Sequence, residues 1–119
     1  MTDKEQLVSE GEARVVVKAA DMAEDMQQEA INVAIEALAQ HAVERDVARS
    51  VKTAFDAAYG PAWHCVVGRD YGSYVTHEVG AFVYFFVGGW SVLLFRAGWV
   101  GSEGGGAEGG GDEGGSSAR

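Results

Sequence analysis

The chain is short of cysteine, proline and positive charge, and each shortage narrows its range of functions. Its 119 residues include one cysteine, Cys65, and one proline, Pro61. A single thiol excludes an internal disulfide framework and fits a reducing compartment, so a cytoplasmic setting is expected. Nine Lys and Arg face eighteen Asp and Glu, giving a formal net charge of −9. With no basic face to meet phosphate backbones or anionic lipid, neither nucleic acid nor a membrane surface is expected as a partner. Long apolar runs are missing too. The longest, around Ala81 to Leu94, is interrupted by Gly88-Gly89 and falls short of a bilayer span, and the polar opening residues carry no apolar leader core. Phe, Tyr and Trp are absent before Phe55, so any aromatic core must come from the second half of the chain.

What is present divides into three stretches. Residues 1–13 are polar and acidic and read as a flexible extension, with Leu7 and Val8 their one large aliphatic pair. Residues 99–119 are a Gly/Ser/Glu tract with almost nothing to bury, which predicts a disordered tail. Each end carries a net −3, so the domain expected over 14–98 is nearly balanced. A domain of this size retains much apolar surface that oligomerisation can bury.

Val15-Val16-Val17 is a β-branched run and predicts a strand. Asp21 and Glu24 stand at capping-box spacing, with Asp21 the expected N-cap of a first helix. Met26, Ala30, Ala34 and Leu38, with Val33 and Ala37, then recur at three- and four-residue intervals up to about His41. Such a stripe should face a sheet. Val43, Val47, Val51, Phe55 and Ala58 repeat the pattern in a second helix, and Gly60-Pro61 supplies a left-handed C-terminal position followed by a breaker. The aromatic half, punctuated by Gly68, Gly72, Gly80, Gly88 and Gly89, has strand-and-turn composition. Strands are predicted at 63–67, 71–77, 82–87 and 90–96, the last two joined by a two-residue Gly88-Gly89 hairpin. The fold class is α+β, with two helices packed on an antiparallel sheet. Phe82, Tyr84 and Phe86 alternate with Val83, Phe85 and Val87, so both faces of that strand are apolar. Two helices cover one face, and nothing evident covers the other, which makes self-association the economical solution.

The run from Gly60 to Glu78, GPAWHCVVGRDYGSYVTHE, closely resembles the signature of dynein light chains of the LC8 type. Lys18-Ala19-Ala20-Asp21-Met22, Met26-Gln27-Gln28, Val43-Glu44-Arg45-Asp46 and Leu93-Leu94-Phe95-Arg96 are similar to that family as well. The resemblance implies a non-catalytic adaptor without a cofactor: a two-fold, strand-swapped homodimer, or a dimer with a paralogue. In it the strand at 71–77 crosses to the other subunit. Two grooves then receive Thr-Gln-Thr-like linear motifs of partners, such as a dynein intermediate chain, as an added β-strand. The same grooves would equally serve a general dimerisation hub for disordered regulatory proteins unconnected to the motor. A place on the cytoplasmic microtubule cytoskeleton is implied, with a cilium or flagellar axoneme as the specialised variant.

Position by position, the resemblance assigns the groove strand to Arg69, Asp70, Tyr71, Gly72, Ser73, Tyr74, Val75, Thr76 and His77, and the groove's apolar floor to Phe82, Tyr84 and Phe86. Glu44 and Arg45 open the second helix where the motif's glutamine would be held, helix N-termini being sources of free N–H donors. His64 falls at the dimer interface, together with Tyr71, Ser73, Tyr74 and Val75. Ala19, Asp70, Phe86 and Trp90 depart from the family pattern; the added charge at Asp70 and the hydroxyl missing at Phe86 imply a taste for more basic motifs.

Catalytic readings do not fit. His64 and Cys65 are neighbours on a predicted strand and point to opposite faces, so they form no base–nucleophile pair. His41, His64 and His77 match no closed zinc spacing. Gly88-Gly89 and Gly104-Gly105-Gly106 precede neither a helix nor the lysine of a phosphate loop.

Overall fold

The structure, a computed structural model, describes residues 4–7, 14–98 and 117–118, with the backbone alone described at 4–7 and 117–118. The elements run β1 (Lys4–Leu7), β2 (Arg14–Asp21), α1 (Glu24–Gln40), α2 (Glu44–Tyr59), β3 (Trp63–Gly68), β4 (Ser73–Tyr74), β5 (Phe82–Val87), β6 (Trp90–Arg96) and β7 (Ser117–Ala118). An antiparallel sheet in the order β1-β2-β5-β6-β3 carries the two helices, so the class is α+β as the sequence predicts. β4 is outside this sheet and, among the described residues, pairs only with β7.

The helices follow their apolar stripes. Ala30, Ala34 and Ala37 are buried in α1, as is Ile31, which the stripe read from the sequence leaves out. Val47, Val51 and Phe55, four residues apart, are the buried line of α2. Phe55 meets Trp63 of β3 edge-on at 4.9 Å and 75°, joining the helix layer to the sheet. Asp56 ties the same corner: its carboxylate pairs with Lys52 and accepts a hydrogen bond from the Trp63 backbone N–H at 2.8 Å. Burial pushes this carboxyl's pKa up, but the Lys52 ammonium and the Trp63 N–H outweigh it and hold the group below its ordinary value.

Three local expectations are corrected. Asp21 is not the N-cap of α1; Ala23 occupies that position without a side-chain cap, and Gln27 donates its amide back to the Met22 carbonyl at 2.7 Å. Asp21 ends β2 instead, and its carboxylate accepts the Gly80 backbone N–H at 3.0 Å, a partner 59 residues away that spacing cannot show. Gly60 has φ 86 and ψ 151, so it ends α2 in the extended positive-φ region rather than the left-handed helical one. The strand expected over 71–77 is regular only at Ser73–Tyr74. Between β5 and β6 the two-residue hairpin is present, Val87 pairing with Trp90 and Gly88 taking φ 60.

The extension expected over 1–13 contributes β1, whose residues Lys4 to Leu7 pair antiparallel with Val17 to Arg14. The other residues of 1–13, and most of the tail expected over 99–119, lie outside the described residues.

Candidate binding surface

Residues paired directly across an antiparallel ladder share a face. On the helix side lie Val83, Phe85 and Val87, all buried. On the opposite side lie Phe82, Tyr84 and Phe86, each half-buried, with Leu93 and Phe95 of β6 and His64 and Val66 of β3 across the ladders. His64 stacks on Phe95 at 5.2 Å, and its Nε2 lies 3.1 Å from the Ala97 carbonyl. Cys65 packs against the helix-side core, where burial pushes its thiol up to about 12. The two neighbours thus face apart, in keeping with their alternation on a strand.

The opposite face is not bare, contrary to the sequence expectation that nothing covers it. The connection over 69–81 folds back onto it and is fastened at both ends. At its start the Tyr71 ring lies so close to Gly68 that a Cβ there would come within 3.1 Å of it. The Tyr71 hydroxyl stands 3.2 Å from the Ser91 carbonyl and 3.3 Å from that of Val66. Burial pushes the phenol's pKa up to about 12, the Ser91 contact pulling the other way. Arg69 turns its guanidinium over the Trp90 ring at 3.9 Å, an attraction of ring quadrupole for cation. Gly89 permits this, since a Cβ there would meet Arg69 Nη1 at 3.0 Å.

At its far end the connection is bound to β6. Glu78 N–H donates to the Arg96 carbonyl at 2.9 Å, Arg96 N–H donates to the Ala81 carbonyl at 3.0 Å, and the Arg96 guanidinium pairs with Glu78 at 2.9 Å. His77 stacks on Phe82 at 4.6 Å. Between these anchors Gly72, Ser73, Tyr74 and Thr76 are exposed and Val75 is half-buried, Tyr74 keeping 85% of its surface. A short extended segment therefore stands proud of the sheet, held on both sides.

The two edges of the sheet differ. β2 is covered by β1, whereas among the described residues β3 is the outermost strand on its side and has only β6 as a neighbour. Unpaired strand edges offer alternating N–H and C=O groups to an incoming strand. Beside this open end lies a cleft of about 100 Å³ lined by Leu38, His41, Ala42, Glu44, Val47, Val67 and Trp90. It brings together the start of α2 and the ends of β3 and β6. No side chain caps α2, whose first turn carries Glu44 and Asp46, and exposed Arg45 pairs with Asp46 at 3.5 Å.

Most residues that the resemblance assigns to the groove thus cluster on one side of the sheet. Tyr71, His77, Phe82, Tyr84 and Phe86 share the aromatic face, Ser73 and Tyr74 form the raised segment, and Asp70 is exposed beside it. Glu44 and Arg45 lie at the α2 end by the cleft, with Arg69 on Trp90 of its lining. Trp90 as the seat of Arg69, Arg96 as the anchor of the connection and Gly68 as the berth of Tyr71 escape sequence reasoning, since each depends on a contact between distant strands. Among the described residues no three His, Cys, Asp or Glu side chains cluster as a metal site, and no helix is long and apolar enough to cross a membrane.

Comparison with known proteins agrees with this geometry. The family described as dynein light chain type 1 matches residues 14–97. The dynein light chain-like domain of the Fasciola hepatica calcium binding protein FhCaBP2 is similar in structure, with TM-score 0.61 and 26% identity, over 76% of this chain and 98% of that one. The DLC-like domain of CsTAL3 shares the fold, with TM-score 0.55 and 18% identity, over 76% of this chain and 96% of that one.

Proposed function

The chain belongs to the dynein light chain type 1 family, whose role is that of a non-catalytic light-chain adaptor, and from that premise we propose that it is a dimeric adaptor of a dynein motor that takes linear motifs of partner chains as an added β-strand. The observation that carries this reading is that β4 stands outside the sheet of its own chain while the outer edge of β3 has no neighbour among the described residues. In a two-fold dimer each chain's 71–77 segment would lie along the partner's β3, and the remaining edge of β4 would accept the motif. Main-chain hydrogen bonds give sequence-tolerant affinity, and pockets beneath alternate side chains give selectivity.

Phe82, Tyr84 and Phe86 would form the floor beneath the motif. The uncapped N-terminus of α2 at Glu44 and Arg45 would hold the glutamine amide of a Thr-Gln-Thr core, such as that of a dynein intermediate chain. His64, on its aromatic shelf, would meet the partner subunit. Two grooves per dimer would hold two client chains side by side and raise their effective concentration for each other. Work on the microtubule cytoskeleton, in the cytoplasm or in a ciliary axoneme, follows from the motor reading. A general hub for disordered regulators would use the same groove with different clients.

Sedimentation velocity with calorimetric titration of a synthetic Thr-Gln-Thr peptide tests the proposal. A two-chain particle binding one peptide per chain is expected. A strict monomer at micromolar concentration that takes up no peptide would overturn it.

A further inference from the structure

The last strand of the chain lies on the segment that the proposed function reserves for others. Ser73 pairs with Ala118 and Tyr74 with Ser117, antiparallel. Both residues of β7 lie beyond the family match, which ends at residue 97. We propose that this C-terminal segment is an internal competitor for the β4 edge, a tethered pseudo-ligand that a strand from another chain must displace; the regulatory part of this inference rests on the strand-addition reading given above.

Composition supports the assignment. Nine of the eighteen residues 99–116 are glycine, and the only acidic groups beyond Gly98 are Glu103, Glu108, Asp112 and Glu113, whereas Ser116-Ser117-Ala118 is free of both. A Gly-rich tether of this length has a root-mean-square reach of about 20–25 Å, which is comparable to the shorter dimensions of the molecule, 27 and 30 Å. Tethering over such a distance gives an effective concentration in the millimolar range. Against this, the ladder is only two residues long, and so short a ladder supplies few main-chain hydrogen bonds. The outcome is a contact that is made much of the time and yields readily, which sets a threshold for partners without excluding them.

A parallel at the other end strengthens the case. β1 also lies outside the matched residues, and it pairs with four residues of β2. Each extension of this chain thus adds a strand to an element of the light-chain domain. The N-terminal one covers the β2 edge of the sheet, and the C-terminal one covers the raised segment over its aromatic face.

The test uses the full chain and its Ser117→Pro, Ala118→Pro double variant, since proline removes the N–H a ladder needs and leaves the length and charge of the tail unchanged. Hydrogen exchange at the Ser73 and Tyr74 amides is read without ligand, and affinity for a synthetic Thr-Gln-Thr peptide is read by fluorescence anisotropy. If the tail occupies the edge for about two thirds to nine tenths of the time, the variant binds the peptide about three- to tenfold more tightly, because apparent affinity scales with the competent fraction. Of the Ser73 and Tyr74 amides, the one that points at β7 also exchanges faster by a similar factor, since successive N–H groups along a strand face opposite edges. Equal exchange at both amides in the two proteins would overturn the inference. Faster exchange in the variant, with no peptide bound by either protein, would uphold the tail contact and overturn the peptide-receiving reading instead.

Discussion

The two faces of β5 are built from equally apolar residues and end in different states. Val83, Phe85 and Val87 lie under the helices with 0%, 0% and 5% of their surface exposed, while Phe82, Tyr84 and Phe86 on the reverse side remain half-buried beneath the 69–81 connection. Helices with matching apolar stripes close the first face inside one chain. The second is covered by a loop that touches it at Tyr71 and His77 and rises away between them. What differs is the permanence of the cover: a packed helix layer maintains stability, whereas a loop pinned at two ends leaves a surface that further strands could complete.

Substitutions on the two sides should separate these roles. Phe85→Ala is expected to cost about 3–5 kcal/mol in urea or guanidinium unfolding, since a fully buried ring leaves a cavity that the helices cannot refill. Asp56→Ala should cost about 1–3 kcal/mol by the same measurement, because the Trp63 N–H loses its acceptor in a part-buried place. Its pH dependence has a definite sign. A carboxyl held below its ordinary value in the fold contributes stability that is fully present above the ordinary carboxylate range and is lost as pH falls through the lower, folded value. The acid limb of wild-type stability, below about pH 4, should therefore be shallower in the Asp56 variant.

Phe86→Ala should be milder for stability, about 1–2 kcal/mol, since the ring is only partly buried in the single chain, and should instead weaken self-association or peptide binding in sedimentation and calorimetry. An effect on unfolding as large as that of Phe85→Ala would erase the distinction between the faces. Tyr71→Phe should cost about 1 kcal/mol, the net worth of one hydroxyl hydrogen bond. With the phenol's pKa raised to about 12, Tyr71 favours the fold fully below the ordinary tyrosine value of about 10, and that contribution is lost as pH climbs toward 12. The alkaline unfolding limb should be shallower in Tyr71→Phe. The smallest effect on stability is sought at Cys65, whose thiol, raised to about 12, should react with a disulfide reagent at pH 8 far more slowly in the folded chain than in urea.

Much of this arrangement was legible from residue order. The helices were readable from their apolar spacing and from Gly60-Pro61, and β5 and β6 from alternation around Gly88-Gly89, because each depends on neighbours within a few residues. The resemblance carried by Gly60 to Glu78 pointed to the light-chain family. The capping box at Asp21 was misleading because a distant acceptor demand, the Gly80 N–H, took its carboxylate. The extended stretch at 71–77 read as one strand by composition, yet only Ser73–Tyr74 became regular, because Tyr71 is drawn over Gly68 and His77 onto Phe82.

Residue order alone thus determined the class of the fold, the presence of its two helices and of the β5–β6 hairpin, and a surplus aromatic face, since periodicity and turn chemistry act locally. Only the tertiary structure decided which sheet edge is sealed and which is open, where Arg69 and Arg96 make their contacts, and that an end of the chain lies on β4. Those outcomes depend on ladders and ring contacts between residues far apart in sequence, whose meeting is set by the packed sheet.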